Sequence, residues 1–545
     1  MRQKFLISPR LAVFFILIPS SATAHISLNV SRFGTLNPVP VRYSGCWGWT
    51  SPTGNEYALL GGFLGTHVVS IDDSINIYEA DFVDGQDSNW REITVIGNHA
   101  FVVTEGGGDL QGMQVIDLSF LPDSVHLDTT YTATFTRGHI ISRDIYSDSA
   151  YVYISGTSTT GGVHILDVSD PSNPVEVGRY DPTYYIHDAH VRGTRMYASA
   201  LSQGSDIVDV SDKSLPMLIA QIDYPNQFTH SSWTTENERH LVATDETDGL
   251  PARIWNIENL DSVYEVSQYS ANLQSLVHNP YVLGDFLFVS HNTEGLRVVD
   301  ISDPSVPVEV GYYDTYLGPS GGFNGLWSAY PYFPSGKIIG GNREDGLYVW
   351  RFNGTRAGRL YGIVLDSLSG IPLVDATITI LETGRSTTSD SGGFFKLGEL
   401  PSGPAGYTLM VSLQNYYSKT IEGLELNDGD SLWLEIMLSS SVSSVDEESS
   451  GPPRSFSLHQ NYPNPFNPTT TIRYSLPRES HVHLTILTVL GSLVRTLVNE
   501  TQPSGYRMVK WDGNDDRGRP VSSGVYLYRL DAGGRSETRK MVYLR

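Results

Sequence analysis

Between residues 25 and 353 one pattern of apolar and polar positions keeps returning. Three or four apolar residues lead into Asp-x-Ser-Asp, often Pro, and then a second short run of β-formers. One copy reads His164-Ile165-Leu166-Asp167-Val168-Ser169-Asp170-Pro171, followed by Pro174-Val175-Glu176-Val177-Gly178. Residues 207–212 repeat it, and residues 296–304 with 307–311 give the cleanest copy. Degenerate copies lie at 113–117 and 253–257, weaker ones at 68–72 and 347–351. The marker position falls at Ser70, Asp117, Asp167, Asp209, Asn256, Asp300 and Arg351, at intervals of 42 to 51 residues. A period in the forties with several short strands per unit is the mark of propeller blades, and seven markers predict seven blades. Each unit reads as strand, turn, strand, turn, marker strand, Asp-Pro turn, strand. All four strands of one blade are visible at 91–98, 99–105, 112–118 and 124–131. The last blade runs out after 348–352, so residues 28–36 are expected to supply its outer strand and close the ring. The Asp-x-Ser-Asp-Pro element is read as a turn device, in which Asp and Ser side chains bond nearby backbone N–H groups.

The texture changes after residue 353. Residues 357–438 hold alternating, turn-bounded strands at 360–364, 376–380, 393–397 and 407–411, which predicts a β-sandwich. Residues 439–455 are Ser-rich with Asp446-Glu447-Glu448 and Pro452-Pro453, a linker that cannot build a core. Residues 456–545 form a last module. The fold class is therefore all-β: a seven-bladed propeller followed by two small, Ig-like sandwiches.

Composition agrees and narrows the function. The chain of 545 residues holds 52 Gly, 29 Pro and 31 Tyr, which argues against helical bundles. A net charge of −24 makes nucleic acid an unsuitable partner. Charge is unevenly spread: the last module carries 12 basic and 7 acidic residues, which marks a separate role for the tail. Cys46 alone excludes an intrachain disulfide and any multi-cysteine metal site. Residues 1–24 have the order of a secretory signal: Arg2, Lys4 and Arg10, the apolar run 11–18, then Ala22-Thr23-Ala24, with cleavage expected after Ala24. No later run approaches about 20 apolar residues, so no transmembrane segment is expected in the mature chain.

Candidate chemistry gathers where the inner strands begin. The clusters are Trp90-Arg91-Glu92, His139 with Arg143-Asp144, His187-Asp188 with His190, His230 with Trp233, His278-Asn279, and Asn324 with Trp327. Two antiparallel reversals return the loop between second and third strands to the same end of each blade. Those loops hold Glu105, Asp245-Glu246, His291 with Glu294, and Glu344-Asp345. The ring would thus gather imidazoles, carboxylates and indoles around one mouth of the channel, the composition of a ligand site. The candidate binding set is Trp90, Glu105, His139, Asp144, His187, Asp188, His230, Trp233, Asp245, Glu246, His278, Asn279, His291, Glu294 and Trp327. Trp233 and Trp327 are expected to offer a flat apolar wall, and the histidines to titrate near neutrality. Against this stands a structural role, in which each histidine only bonds the backbone of the next blade. No cofactor is predicted, though two or three of these histidines leave room for a divalent metal. No nucleophile elbow, Walker loop or dinucleotide fingerprint is present, so catalytic residues stay unassigned. The functional alternatives are a surface-binding propeller, an extracellular hydrolase or lyase at the same mouth, and an architectural scaffold.

Three resemblances follow from these residues. The Leu296-Arg297-Val298-Val299-Asp300 strand with its Asp-Pro turn resembles the LVIVD-repeat propellers. His230-x-x-Trp233, Thr244-Asp245-Glu246, Leu276-Val277-His278-Asn279, residues 290–296 and Gly325-Leu326-Trp327-Ser328 resemble its choice-of-anchor B branch. That branch implies a bacterial, surface-exposed protein with variable C-terminal attachment modules. Gly362-x-Val364, Thr388-x-Asp390-x-x-Gly393-x-Phe395 and Leu400-Pro401-x-Gly403 resemble a carboxypeptidase regulatory-like domain. This implies a spacer with a carbohydrate-binding-like fold, not a peptidase. Tyr462-Pro463-Asn464-Pro465-Phe466-Asn467-Pro468, Trp511-Asp512-Gly513 and Gly524-Val525-Tyr526 resemble the C-terminal sorting domain of type IX secretion substrates, related to the Ig-like fold of flagellar hook-capping proteins. That implies the outer-membrane type IX machinery as partner of residues 456–545, and a secreted or cell-surface location. The ligand is left as an unknown surface molecule, a saccharide or a protein.

Overall fold

The structure is a computed structural model that describes residues 26–441, 453, 455–462 and 464–543. The expected signal sequence, residues 1–24, lies outside the described residues. So does linker 439–455, except 439–441, 453 and 455. The chain divides into two compact units, the first holding the propeller and the second most of the two sandwiches.

Seven antiparallel sheets make the propeller. Their first strands are Tyr43–Thr50, Arg91–Ile96, Ile140–Ser142, Asp188–Arg192, Thr229–Thr234, Asn279–Leu283 and Leu326–Tyr330, which we number as blades 1 to 7. These strands contact one another in an unbroken cycle, blade 7 against blade 1 included, so they line the channel. All seven sequence markers fall on the third strands, for example Val163–Asp167 in blade 3 and Leu296–Asp300 in blade 6. In blade 2 the four strands are Arg91–Ile96, His99–Thr104, Met113–Asp117 and His126–Tyr131.

The core lies in the seams between blades. Each seam has its own apolar cluster: Trp49, Val68 and Ile93 join blades 1 and 2, and Trp233, Val242 and Val289 join blades 5 and 6. Tyr43, Leu60, Ile339 and Val349 close the circle between blades 7 and 1. Backbone hydrogen bonds close the ring as well. Val30–Leu36 pairs antiparallel with Gly346–Phe352, Val30 opposite Phe352 and Leu36 opposite Leu347, as the outer strand of blade 7. The two residues before it, Ser27 and Leu28, pair with Tyr313 and Tyr312 of blade 6, so the N-terminal segment clasps two blades. Asn29, at φ 56°, makes the step between them and donates its Nδ2–H to the Val310 carbonyl at 2.7 Å.

The acidic motif is a turn device. Asp167, Asp209 and Asp300 each accept the backbone N–H two residues on, from Ser169, Ser211 and Ser302, at 2.8, 2.8 and 2.9 Å. Asp170 and Asp212 do the same one turn later, at 3.2 and 2.9 Å. The register between third and fourth strands slips by one residue in blade 3 at Ile165/Leu166, and at the matching place in the other six blades. Such bulges increase twist and blunt the outer edge against further pairing.

The second unit is two β-sandwiches. Phe394–Glu399, Gly358–Asp366 and Ser431–Leu438 form a three-stranded sheet of the first sandwich, with a four-stranded sheet from Thr377–Ile380 and its neighbours. The last module sets Ser457–Leu458, Thr470–Leu476 and Gly505–Trp511 beside a sheet of four strands from Ser480–Thr488 to Arg535–Tyr543. Phe466 of the Asn-Pro-Phe-Asn motif is buried against Trp511 and Tyr543, with ring centroids 5.4 and 4.9 Å away. No helix among the described residues is long and apolar enough to cross a membrane.

Candidate binding site

In six of the seven blades the inner strand brings a ring-bearing side chain, at or next to its first residue, to one shared place, and these rings meet. His139, His187, His230, His278 and Trp327 come from blades 3 to 7 in order. Their successive centroids are 4.2, 4.3, 4.0 and 4.2 Å apart. Trp90 of blade 2 extends the arc by stacking on Trp327 at 4.8 Å and 13°. The Arg343 guanidinium lies 4.6 Å from the Trp90 ring and 4.9 Å from Trp327. The arc exists because the propeller repeat puts equivalent residues at equivalent radii, one blade apart.

Hydrogen bonds fix how the rings are protonated. His187 Nδ1 lies 3.1 Å from the His230 carbonyl, His230 Nδ1 3.2 Å from the His278 carbonyl, and His278 Nδ1 3.0 Å from the Trp327 carbonyl. A carbonyl only accepts, so Nδ1 carries the hydrogen in all three rings and Nε2 is left with its lone pair; at His278 the Asn279 Nδ2, also 3.0 Å from Nδ1, gives its hydrogen to the same Trp327 carbonyl instead. His139 differs. Its Nε2 lies 2.8 Å from His187 Nε2, and its Nδ1 lies 2.8 Å from Glu105 Oε1. His187 can only accept there, and so can the Glu105 carboxylate. Both His139 nitrogens must then donate, which makes His139 an imidazolium.

Electrostatics agrees. Burial opposes charge on His139, but the Glu105 hydrogen bond and the charges of Glu105, Glu92 and Glu246 outweigh it and raise its pKa above 6.5. His187 and His230 are held well below that value, by burial first and then by neighbouring histidines. Burial takes His278 down to about 3. The expectation that all these histidines titrate near neutrality is thus corrected, since only His139 keeps its proton against burial.

Further along the same strands the channel narrows to a cavity of about 60 Å³, lined among others by Trp47, Glu92, Arg143, Asp188, Trp233 and Asn279. Burial pushes the Glu92 carboxyl up to about 7, against the opposing pull of the Trp327 Nε1–H bond at 3.0 Å and of His139. Burial also raises Asp188. Asn279 Nδ2 donates to the Trp327 carbonyl at 2.9 Å.

The structure brings together Trp90, Glu105, His139, His187, His230, Glu246, His278 and Trp327, with Asp188 and Asn279 one residue deeper. Five candidates lie elsewhere. Asp144 follows its strand rather than preceding it, and binds the Tyr146 and Gly193 N–H groups at 2.9 and 3.0 Å, at the far end of the blades. Asp245 turns into its own blade, accepting from Tyr224 Oη at 2.9 Å and Phe228 N at 2.7 Å. His291 is fully buried within blade 6. Glu294 ties the neighbouring loops through Asn272 at 2.9 Å, Ser320 at 2.8 Å and Arg297 at 3.4 Å. Trp233 packs against His190 at 4.3 Å and donates to Tyr146 Oη at 3.1 Å, below the arc. Nor is Trp327 an open wall, because His278 and Trp90 cover its faces and 4% of it is exposed. Sequence reasoning missed two residues at this end. Arg343 was hidden beside the Glu344-Asp345 pair, and Tyr185 stands two residues before His187. Tyr185 is 37% exposed, with its ring 6.5 Å from His139 and 6.2 Å from His187.

Comparisons with known proteins fit this architecture. The LVIVD repeat model matches residues 142–182, 197–223 and 279–315, the stretches with the best-formed Asp-x-Ser-Asp copies. The carboxypeptidase regulatory-like domain model matches 359–439, and the FlgD Ig-like domain model matches 467–535. No curated protein matches the chain. A repeat propeller followed by Ig-like domains fits an extracellular interaction module.

Proposed function

We propose that this is an exported binding protein, secreted or displayed on the cell surface, whose propeller takes a saccharide or protein ligand at its histidine-lined end. Residues 1–24 serve as the signal peptide, cleaved after Ala24, and residues 456–545 are read by the outer-membrane type IX secretion machinery. The choice-of-anchor B motifs around His230 and His278 belong to the same reading.

One observation carries it: the two edges of each ring do different jobs. In His187, His230 and His278 the Nδ1 edge pins one blade to the next. That accounts for a structural role but leaves over the Nε2 edges of His230 and His278, while that of His187 accepts only from His139. Among them lie the carboxylates of Glu105 and Glu246, 2.8 Å from His139 and 3.8 Å from His187. Uncommitted acceptors beside carboxylates and aromatic rings are what a polar ligand needs.

The test uses the full chain on saccharide and surface-protein arrays, with His187→Asn/His230→Asn/Glu246→Gln as the comparison. Asparagine keeps a donor near the Nδ1 position and deletes Nε2. Array signal lost with an unchanged melting temperature supports a binding site at this end. Signal retained by the triple variant refutes it. For export, a chain lacking residues 456–545 should stay folded inside the periplasm, and its normal appearance outside the cell would refute the sorting role.

A further inference from the structure

Glu246 is anomalous. Its side chain is 19% exposed, yet among the described residues its carboxylate accepts no hydrogen bond. It approaches two imidazole nitrogens, His187 Nε2 at 3.8 Å from Oε2 and His230 Nε2 at 4.0 Å from Oε1. The carbonyl bonds at the opposite ring edges make both of these nitrogens lone pairs. His230 Nε2 therefore faces the carboxylate as a bare lone pair, and His187 Nε2 does so while accepting the His139 Nε2–H, with no proton between the carboxylate and either ring. All three donor atoms lie within 4.8 Å of one another. Next to them the fully buried His278 Nε2 has no hydrogen-bond partner at all.

We infer that His187 Nε2, His230 Nε2 and Glu246 form a binding site for a divalent first-row transition cation. A tetrahedral cation about 2.1 Å from its donors spaces them about 3.4 Å apart. Rotation of the Glu246 side chain covers the half ångström or so by which its own two contacts exceed this, and the two imidazole nitrogens, within 4.8 Å of each other, close on the cation by tilting about their Nδ1 bonds. The carbonyls of His230 and His278 act as the outer partners that orient metal-ligating imidazoles and fix their tautomer. Two imidazoles with one carboxylate favour zinc, iron, cobalt, nickel or copper over calcium or magnesium, which prefer all-oxygen sets. His139 donates to His187 Nε2 at 2.8 Å in the structure, so a cation takes the place of that N–H. Three protein donors leave a coordination position open, and an oxygen of the surface ligand can fill it. The inference rests on the binding role proposed above and names how that end holds its ligand.

The test is a titration of tagless full-length protein, stripped with chelator, with Zn²⁺ by calorimetry and with Co²⁺ by visible ligand-field absorption. The wild type should take up one equivalent and give an absorption typical of mixed nitrogen and oxygen donors. Glu246→Gln and His230→Asn should each weaken binding by ~100-fold or more, because even outer-shell partners are worth roughly 10–100-fold. Glu246→Gln removes no hydrogen bond, so its fold is safe. His99, Asp117 and Asp128 form a second, more exposed trio, so His99→Ala is the control and should bind like the wild type. No uptake by the wild type, full uptake by Glu246→Gln, or loss confined to His99→Ala would each overturn the inference. The array experiment, repeated on stripped protein, separates the two claims. Array signal with no cation uptake refutes the metal alone, and uptake with array signal indifferent to the substitutions refutes ligand binding at this end alone.

Discussion

Replacing Glu92 by glutamine should stabilise the propeller at alkaline pH and do nothing at acid pH. Burial pushes this carboxyl from 4.5 up to about 7. The native state therefore binds one more proton than the unfolded state between these values. Stability is full below about pH 4.5, falls as pH rises towards 7, and is flat above. At about 1.36 kcal/mol per pKa unit, a shift of about 2.5 units costs the wild type roughly 3 kcal/mol above neutrality. The cavity of about 60 Å³ beside the carboxyl leaves room for solvation, which makes that an upper bound. Glutamine keeps an oxygen to accept the Trp327 Nε1–H at 3.0 Å and has no charge to bury. The assay is urea unfolding of the full chain at pH 4 and pH 8, followed by tryptophan fluorescence. Seven of the nine tryptophans lie in the propeller, so the signal reports that unit. We expect equal midpoints at pH 4 and a variant more stable by about 1–3 kcal/mol at pH 8. A variant that is no more stable at pH 8 than at pH 4, relative to the wild type, would mean that Glu92 is ionised at ordinary pH and that a cation compensates it.

Further outcomes test other parts of the account. Glu105→Gln removes the partner that outweighs burial, so the His139 pKa should drop, as followed by NMR titration of the imidazole protons. Trp350→Ala empties a fully buried site in blade 7 and should cost about 3–5 kcal/mol in the same unfolding assay. Lys337 and Glu56 form a buried ion pair at 3.0 Å between blades 7 and 1. Lys337→Met should cost about 3–5 kcal/mol, and Glu56→Gln/Lys337→Met less than the single change.

Much of this molecule is legible because it repeats. The third strand of each blade carries a local signal, an apolar run that in blades 2, 3, 4 and 6 leads into Asp-x-Ser, and the motif is a turn whose hydrogen bonds join residues two apart. Even the closing strand could be placed, because a propeller with a missing outer strand must borrow one. The additional pairing of Ser27 and Leu28 with blade 6 could not be placed, since two residues carry no periodicity. The arc of rings was legible as a set of positions, because equivalent residues of a ring meet. Side-chain direction was not. Asp245 and Glu246 are adjacent in sequence, yet one closes a loop on Tyr224 and the other faces His187 and His230. Asp144 lies five residues after His139, which on a short strand carries it to the opposite end. The proton states were also beyond the sequence, because they depend on which carbonyl stands opposite each Nδ1.

The most direct measurement of the central claim, that one edge of each histidine pins the ring while the other is kept for a ligand, is the imidazole ¹⁵N spectrum of histidine-labelled protein between pH 5.5 and 8. His187, His230 and His278 should stay neutral throughout, with Nδ1 protonated and Nε2 bare, while His139 is doubly protonated at the acid end. Protonated Nε2 atoms in those three rings would contradict the claim, for the edge assigned to the ligand would then be occupied by hydrogen.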